Sequence, residues 1–228
     1  MAKIQHLVTI ESAPDLTEQV YERLLNAICD GELPPGSRIT QEECAASLNV
    51  SRQPVLQALR LLKNDGLVVD AGRRGVMVTL LDARVVAQIY EVRTVLDALA
   101  ARLAAQRGAK LDPELISRGR KAARGAGTGP MIEADEAFHR AIYEASGNPF
   151  ILQSAARHWP HIRRAMGSVL GSPDKRDPVW DEHEAILRAI NEGRAEAAER
   201  LSLNHGEFGG SAITSRMARP PVAASSPT

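Results

Sequence analysis

The fold is decided by residues 40–69, which read TQEECAASLNVSRQPVLQALRLLKNDGLVV. Thr40 and Glu43 form a capping box, which satisfies the free N–H groups at the start of a helix. Asn49 predicts the end of this helix, because asparagine takes the left-handed conformation at little steric cost. Ser51 is a favourable N-cap for a second helix. The stretch therefore predicts two short helices joined by a tight turn.

The second helix is apolar on one face and polar on the other. Val55, Leu59 and Leu62 recur at i, i+4 and i+7, so they form one buried stripe. The polar side chains at its start and on its opposite face are Arg52, Gln53, Gln57 and Arg60. Such a pair of helices fits a helix-turn-helix, with a helical hairpin in an ordinary core as the alternative.

The flanking segments favour the helix-turn-helix. Beyond the second helix the apolar period changes to two, and residues 67–69 and 76–80 predict two strands around a basic turn that contains glycine. Arg73 and Arg74 lie near the tip of this hairpin. A preceding helix is predicted by an i, i+4 ridge of Leu16, Val20, Leu24 and Ile28. Three helices followed by a β-hairpin wing make a winged helix-turn-helix over residues 14–80.

The charge of the chain is balanced overall but not locally. The 228 residues carry 28 Lys and Arg against 28 Asp and Glu, so the net charge is zero. Between residues 51 and 76, five basic residues stand against two acidic ones, a surplus of three. The basic residues are Arg52, Arg60, Lys63, Arg73 and Arg74, and the acidic ones are Asp65 and Asp70. Double-stranded DNA would therefore meet a basic face on a neutral protein.

The amino-acid composition limits the kind of fold expected for the rest of the chain. Hydrophobic residues make up 44% and aromatic residues only 4%, so closely packed, Ala-rich helices are expected in the second half. Cys29 and Cys44 are expected to be buried core thiols, with a redox switch as the alternative. The chain shows neither an apolar run long enough for a membrane span nor a signal peptide, so a cytoplasmic location is expected.

Beyond the wing the chain is typical of an antiparallel helical bundle. Asp82 can cap a long helix, so a hinge is expected at residues 81–84 and the bundle at 85–212. Six helices are predicted, at about residues 83–107, 112–124, 131–146, 150–170, 178–191 and 194–205. The first of them is expected to face inward with Val85, Ile89, Val92, Leu96, Leu99 and Leu103. With a flexible arm at residues 1–13 and a disordered tail at 213–228, the fold class is mainly α.

A candidate metal site lies in the bundle. Asp135 and His139 are four residues apart and share one helix face. His183 falls on the fifth predicted bundle helix and His205 on the sixth. Bundles build metal sites from carboxylates and imidazoles on facing helices, and this donor set suits zinc first, with nickel, manganese or iron as further candidates. The alternative is that these are ordinary surface or core histidines.

Several stretches resemble the GntR family of bacterial transcription regulators, in its FadR-type branch with an FCD ligand-binding domain. At the N-terminus these are PPGSRI (34–39), NVSRQPVLQALRLLKNDGLV (49–68) and RRG (73–75). In the bundle they are DEAFHRAIYEASGNP (135–149), DEHEAILRAINEGRAEAAERL (181–201) and LNH (203–205). The resemblance implies that the helical domain binds an effector and a divalent metal and forms a homodimer.

The resemblance also implies roles for individual residues. The metal would be held by Asp135, His139, His183 and His205, and the effector would meet Arg93, Asn148 and Arg163. DNA-binding candidates are Arg38, Ser51, Arg52, Gln53, Gln57, Arg60, Arg73, Arg74 and Gly75. The Arg93 guanidinium can hold a carboxylate at two points while the metal takes another oxygen. The alternative for Arg93 is an ion pair with Asp97, its i+4 neighbour.

The recognition helix departs from the family pattern, which usually carries a second arginine. Leu56 stands at that position and is followed by Gln57. Leu56 can contact a thymine methyl group, and Gln57 can pair with adenine. An operator sequence therefore does not carry over from relatives.

These observations predict a metabolite-responsive transcription regulator, a repressor that binds a palindromic operator as a homodimer and is controlled by a small carboxylate. One alternative is a hydrolase-like metalloenzyme fused to a DNA-binding domain. No general base is placed beside the metal by a motif, since Glu136 would point away from the face of Asp135 and His139. A sensor of the metal ion itself is the other alternative.

Overall fold

The computed structural model describes residues 16–72, 75–125, 127–169 and 177–218. The described elements, in chain order, are α1 (Leu16–Cys29), β1 (Arg38–Thr40), α2 (Gln41–Leu48), α3 (Arg52–Asn64), β2 (Val68–Asp70), β3 (Gly75–Val78), α4 (Ala83–Gln106), α5 (Glu114–Arg124), α6 (Gly129–Ala145), α7 (Pro149–Ala156), α8 (Trp159–Val169), α9 (Asp177–Asn191) and α10 (Ala195–Met217). The chain divides into two compact units near residues 79 and 80, and residues 28–35 group with the second.

The helix-turn-helix of the first unit is built as its caps predict. The Thr40 hydroxyl oxygen accepts a hydrogen bond from the Glu43 backbone N–H at 3.2 Å, which starts α2. Asn49 ends α2 in the left-handed conformation, with φ of 50°. Ser51 is the N-cap residue of α3 by position, although its side chain makes no capping hydrogen bond within the described residues. The predicted winged helix-turn-helix is confirmed.

The wing belongs to a three-stranded antiparallel sheet in the order β1-β3-β2. Its first strand, β1, was not predicted, because three residues are too few for a period to show. Ile39 pairs with Val76, and Thr40 pairs with Gly75. A Cβ atom at Gly75 would lie 2.8 Å from the Ile39 carbonyl oxygen, so the sheet itself requires a glycine there. The predicted DNA contacts Arg73 and Arg74, like the arm at residues 1–13, lie outside the described residues.

The second unit packs its first and last helices, α4 and α10, against each other. Two glycines of α10 face α4. A Cβ atom at Gly206 would lie 2.4 Å from the Thr94 hydroxyl oxygen, and one at Gly210 would lie 2.9 Å from the Tyr90 Cβ atom. The small residues therefore set how closely the two helices approach.

The buried face of α4 differs from the predicted one. Val85 and Val92 were expected to face inward but are 46% and 50% exposed, and Val95 is 61% exposed. The buried side of α4 instead consists mainly of alanines and polar residues: Val86, Tyr90, Arg93, Thr94, Asp97, Ala98, Ala100, Ala101, Ala104 and Ala105. The other four residues predicted to face inward are partly buried and pack against the cores: Ile89, Leu96, Leu99 and Leu103. Small side chains allow close helix packing, so the closest contacts of α4 are made by its alanines.

The fourth predicted bundle helix is two helices, and the last is longer than predicted. α7 ends at Ala156 and α8 begins at Trp159, with Pro160 as its second residue. Proline has no N–H to donate and disfavours helix in the residue before it, so the helix breaks there and restarts. α10 continues to Met217, five residues beyond the predicted end of the domain at residue 212.

The main core of the second unit surrounds aromatic residues. Phe138 and Trp180 are buried, with ring centroids 6.4 Å apart. A Cβ atom at Gly119 would lie 2.0 Å from the Trp180 ring, so α5 can pass the indole only with glycine at this position. None of the helices in the described ranges is long and apolar enough to cross a membrane.

The two cysteines are buried free thiols, as predicted. Burial raises the pKa of Cys29 to about 11, so this thiol stays protonated and unreactive near neutral pH.

Candidate metal and effector site

The four predicted metal ligands converge in the second unit. Asp135 and His139 lie on α6, His183 on α9 and His205 on α10, and all four are buried. One ring nitrogen from each histidine lies within 4.8 Å of the others. Residues separated by up to 70 positions are thus brought together by three packed helices, and we call these four residues the His cluster.

The ring nitrogens face one another. Nε2 of His183 lies 3.1 Å from Nε2 of His205 and 3.5 Å from the Asp135 Oδ1 atom. Nε2 of His139 is buried and has no hydrogen-bond partner among the described residues. Three imidazole nitrogens therefore lie close together, and the Asp135 carboxylate lies beside one of them.

Carboxylates behind two of the rings orient them. Asp97 Oδ2 lies 3.3 Å from His139 Nδ1, and Glu182 Oε2 lies 2.7 Å from His205 Nδ1. A carboxylate that accepts the Nδ1–H proton leaves the Nε2 lone pair free for a ligand. The Tyr143 hydroxyl donates a hydrogen bond to Asp97, which in turn holds that carboxylate in place.

This outer layer was missed by the sequence reasoning. Asp97 was considered only as an ion-pair partner, and Glu182 and Tyr143 were not singled out. The one available signal was the position of Glu182 directly before His183. His183 itself lacks such support, since its Nδ1 atom is buried without a partner in the described part of the chain.

The chemistry of the His cluster fits a first-row divalent metal. A buried imidazole nitrogen without a partner costs free energy, and a metal ion would satisfy the His139 Nε2 atom. Burial, together with the neighbouring His205 and His139 rings, holds the pKa of His183 well below its usual value. Burial and the Arg93 charge likewise lower the pKa of His139. Both rings are therefore neutral at physiological pH, which is the form that binds a metal.

Arg93 takes part in this site and also forms the predicted alternative ion pair. Its Nε atom lies 3.3 Å from Asp97 Oδ2, and its Nη2 atom lies 3.9 Å from Asp135 Oδ2. Its guanidinium carbon sits 4.6 Å from the centre of the Trp159 ring, a cation–π distance. Burial alone would lower the pKa of Arg93, but Asp97, the two neighbouring tyrosines and Asp135 together outweigh burial and raise that pKa. The guanidinium is therefore fixed and charged.

A cavity of about 210 Å³ opens beside the His cluster. Arg93, Asp135, Glu182 and His205 all contribute to its wall. The Arg93 side chain lines the cavity, and its buried Nη2 atom makes no hydrogen bond within the described residues. The arrangement can hold a metal ion and an anion side by side.

Two predicted effector residues lie elsewhere. Asn148 accepts a hydrogen bond from the Phe150 backbone N–H at 3.1 Å and caps α7. Arg163 forms an ion pair with Asp30 at 2.7 Å. Neither residue lines the cavity. A short polar side chain before a proline satisfies the start of the next helix, which accounts for the position of Asn148.

The predicted DNA-binding residues of the first unit lie on exposed surfaces. Arg38, Ser51, Arg52, Gln53 and Arg60 are exposed, and Gln57 is partly buried. The Arg52 guanidinium lies 3.3 Å from the Glu42 carboxylate. Because both side chains of this pair are largely in solvent, the pair contributes little and is easily exchanged for a phosphate or a base edge.

Fold and site together define a DNA-binding transcription regulator with a second, all-helical domain. Residues 16–78 match the profile of the bacterial regulatory proteins of the gntR family, and residues 88–208 match the FCD domain. The chain belongs to the GntR family, in the branch that carries an FCD domain.

Individual relatives agree with this assignment. An HTH-type transcriptional regulator of Streptomyces ambofaciens is 31% identical over 193 residues, which cover 82% of this chain and 80% of the relative. A relative from Paenarthrobacter nicotinovorans, named "Probable D-xylose utilization operon transcriptional repressor", is 28% identical over 83% of this chain and 85% of its own length. The solved structure of E. coli McbR/YncC superposes with a TM-score of 0.78 at 20% identity, over 90% of this chain and all of that one, and so shows the shared fold.

Proposed function

We propose that the protein is a repressor whose operator binding is controlled by a small carboxylate, bound at a divalent metal in the FCD domain. The observation that carries the proposal is the convergence of the His cluster beside Arg93 at one cavity. The repressor role is supported by the name of the Paenarthrobacter relative.

Each residue of the site has a defined task in this proposal. Asp135, His139, His183 and His205 would hold the ion, with zinc as the first candidate and nickel, manganese or iron as the others. Once bound, the ion supplies a Lewis-acidic contact for one carboxylate oxygen. The Arg93 guanidinium, which lines the cavity, would donate to the other oxygen.

The proposal includes a homodimer that reads a palindromic operator. One recognition helix contacts few base pairs, so two copies of α3 are needed for a specific site. The exposed aliphatic residues of α4, Val85, Val92 and Val95, form a face that a second copy can cover. In a single, unpaired chain these three valines would form an apolar stripe exposed to water.

Catalysis is not proposed for this site. The carboxylate closest to a ring of the His cluster on the cavity side is Glu182, and it is held by His205 Nδ1. That position orients a metal ligand, and the relatives reported above are transcription regulators. Binding of a metal and an effector therefore gives every residue of the site a role, and no catalytic step is needed to explain any of them.

The test combines elemental analysis with operator binding titrated with organic acids. His183→Ala removes one of four ligands, so we expect loss of stoichiometric metal and of the effector response, with effector-free operator affinity largely kept. Arg93→Lys keeps the buried charge but lacks the planar fork, so metal should remain while the response is lost.

His161→Ala is the matched control, because it removes a histidine of α8 outside the His cluster. It should behave as wild type in both measurements. A His183→Ala protein that retained a full equivalent of metal and a normal effector response would overturn the proposal.

A further inference from the structure

Most of the cavity wall beside the His cluster is apolar. Its hydrophobic side chains come from four helices and include Met131, Met166, Val179, Phe208 and Ile213. Among the polar groups of the wall, Arg93, Asp135 and His205 are joined to one another through the His cluster, and Arg216 lies further along α10. A molecule that fills this cavity must therefore have one anionic end and an apolar remainder.

The part of the wall that α10 supplies shows how the apolar region extends. His205 belongs to the His cluster, and beyond it α10 lines the cavity with Gly209, Ala212 and Ile213 before Arg216. His205 and Arg216 are eleven positions apart, about 16 Å along a helix axis at a rise of about 1.5 Å per residue. The apolar part of the wall supplied by α10 therefore lies between the His cluster and Arg216.

The charges around the cavity call for a single negative charge. The charges of the buried side chains Arg93, Asp97 and Asp135 sum to −1, and a bound divalent ion would change this net charge to +1. Glu182 and Arg216 line the cavity with opposite charges that cancel. One carboxylate balances the remaining +1, whereas a second or third would leave an uncompensated charge against an apolar wall.

From these observations we infer that the effector is a monocarboxylate that carries an apolar chain or ring, in preference to hydroxy acids, dicarboxylates and tricarboxylates. The inference rests on the proposed function and specifies the chemical class of its effector. The carboxylate binds between the metal and Arg93, and the apolar part packs on Met131, Met166 and Ile213.

Phe208 offers a variant that tests the apolar wall without disturbing the core. Its side chain lines the cavity yet is 69% exposed, so Phe208→Ala removes part of the wall at little risk to folding. Phe150→Ala is the matched control, since Phe150 is 72% exposed on α7 and does not line the cavity.

The experiment is isothermal titration calorimetry of the full-length protein with one equivalent of zinc. The probes are acetate, butyrate, hexanoate, octanoate and phenylacetate, compared with lactate, malonate and citrate. Affinity should rise along the unbranched series by about fourfold for each methylene group that becomes buried. Phe208→Ala should weaken octanoate binding and leave acetate binding unchanged, and Phe150→Ala should change neither.

Operator binding measured with the same acids separates the two proposals. Lactate, malonate or citrate that bound more tightly than octanoate and controlled the operator would overturn this inference and leave the proposed function intact. Affinity independent of chain length would also overturn it. If none of the acids bound or changed operator affinity, both this inference and the carboxylate-controlled function would be wrong.

Discussion

Asp97 illustrates, at the scale of single residues, how one side chain supports two neighbours. Its Oδ2 atom lies 3.3 Å from both His139 Nδ1 and Arg93 Nε. Burial would raise the pKa of Asp97, but the Arg93 charge together with His139 and the Tyr143 hydroxyl outweighs burial and lowers that pKa to about 2. The carboxylate is therefore ionised and orients both the guanidinium and His139, a ligand of the proposed metal.

Asp97→Asn should weaken metal binding by about 10- to 100-fold, because the near-isosteric amide no longer supports the correct tautomer of His139. A competition titration with a metal chelator measures the change, and circular dichroism checks that the bundle is folded. Asp181→Asn is the control, since Asp181 lies on α9 two residues before His183 but is paired with Arg120 at the surface. Equal metal affinity of Asp97→Asn and wild type would contradict the assigned role.

Arg52 is the first residue of α3, the recognition helix of the first unit. If it reads a guanine, Arg52→Ala should cost about 1–3 kcal/mol of operator affinity and relax specificity at that base pair. Lys63→Ala is a suitable control, because Lys63 lies in the last turn of the same helix and is paired with Asp70. Fluorescence anisotropy with operator and scrambled DNA measures both. Wild-type affinity and specificity in Arg52→Ala would contradict the placement of the helix.

At the scale of secondary-structure elements, the two sides of α4 differ in composition. Its inner side carries small and polar residues, and its outer side exposes Val85, Val92 and Val95. These three lie within one arc of the helix at spacings of seven and three residues. A single element thus contributes to the metal site on one side and to the proposed dimer on the other.

The double variant Val92→Glu and Val95→Glu should dissociate the dimer and leave the bundle folded. Both side chains are at least half exposed within one chain, so glutamate meets water in the monomer but would be buried in the dimer. Sedimentation at micromolar concentration should show a monomer, with loss of palindrome binding. Phe150→Glu, an equally exposed change on α7, should stay dimeric. A dimeric double variant would exclude this face as the interface.

For the whole molecule, the stability of the metal-free protein should depend on pH because of its buried neutral imidazoles. The pKa values of His139 and His183 are lowered from the ordinary value of 6.5. Above pH 6.5 both rings are neutral in the folded and the unfolded chain, so they contribute nothing to the pH dependence of stability. Below it the unfolded chain takes up protons that the folded bundle does not, so stability falls as pH falls.

The melting temperature of chelator-treated protein should therefore decrease between pH 7.5 and 5.5, and zinc should raise it at the upper end by binding the folded state. Asp97 does not affect this window, because its pKa of about 2 places its effect at much lower pH. Differential scanning calorimetry measures both effects. A melting temperature that stayed constant or rose as pH fell over this range would contradict the buried, neutral state of the two rings.

Local physical chemistry was sufficient to predict the helix-turn-helix and the end points of most helices. The Thr40 cap and the left-handed Asn49 act within a few residues of the chain, so their effect is visible in the sequence. Asp135 and His139 could be placed together for the same reason, since helix geometry alone puts residues four apart on one face. His183 and His205 were candidate ligands because they fall on two further predicted helices, and the family resemblance then supported all four residues as a set.

Only the tertiary structure decided which side of α4 is buried and which groups support the metal ligands. The pairing of Asp97 with His139, and of Glu182 with His205, joins residues on different helices. Asn148 and Arg163 were assigned to the effector from the sequence, but their partners are the start of α7 and Asp30. Side chains acquire such partners when segments that are distant in the sequence pack together. The distances between helices determine these partners, and neither periodicity nor capping patterns contain those distances.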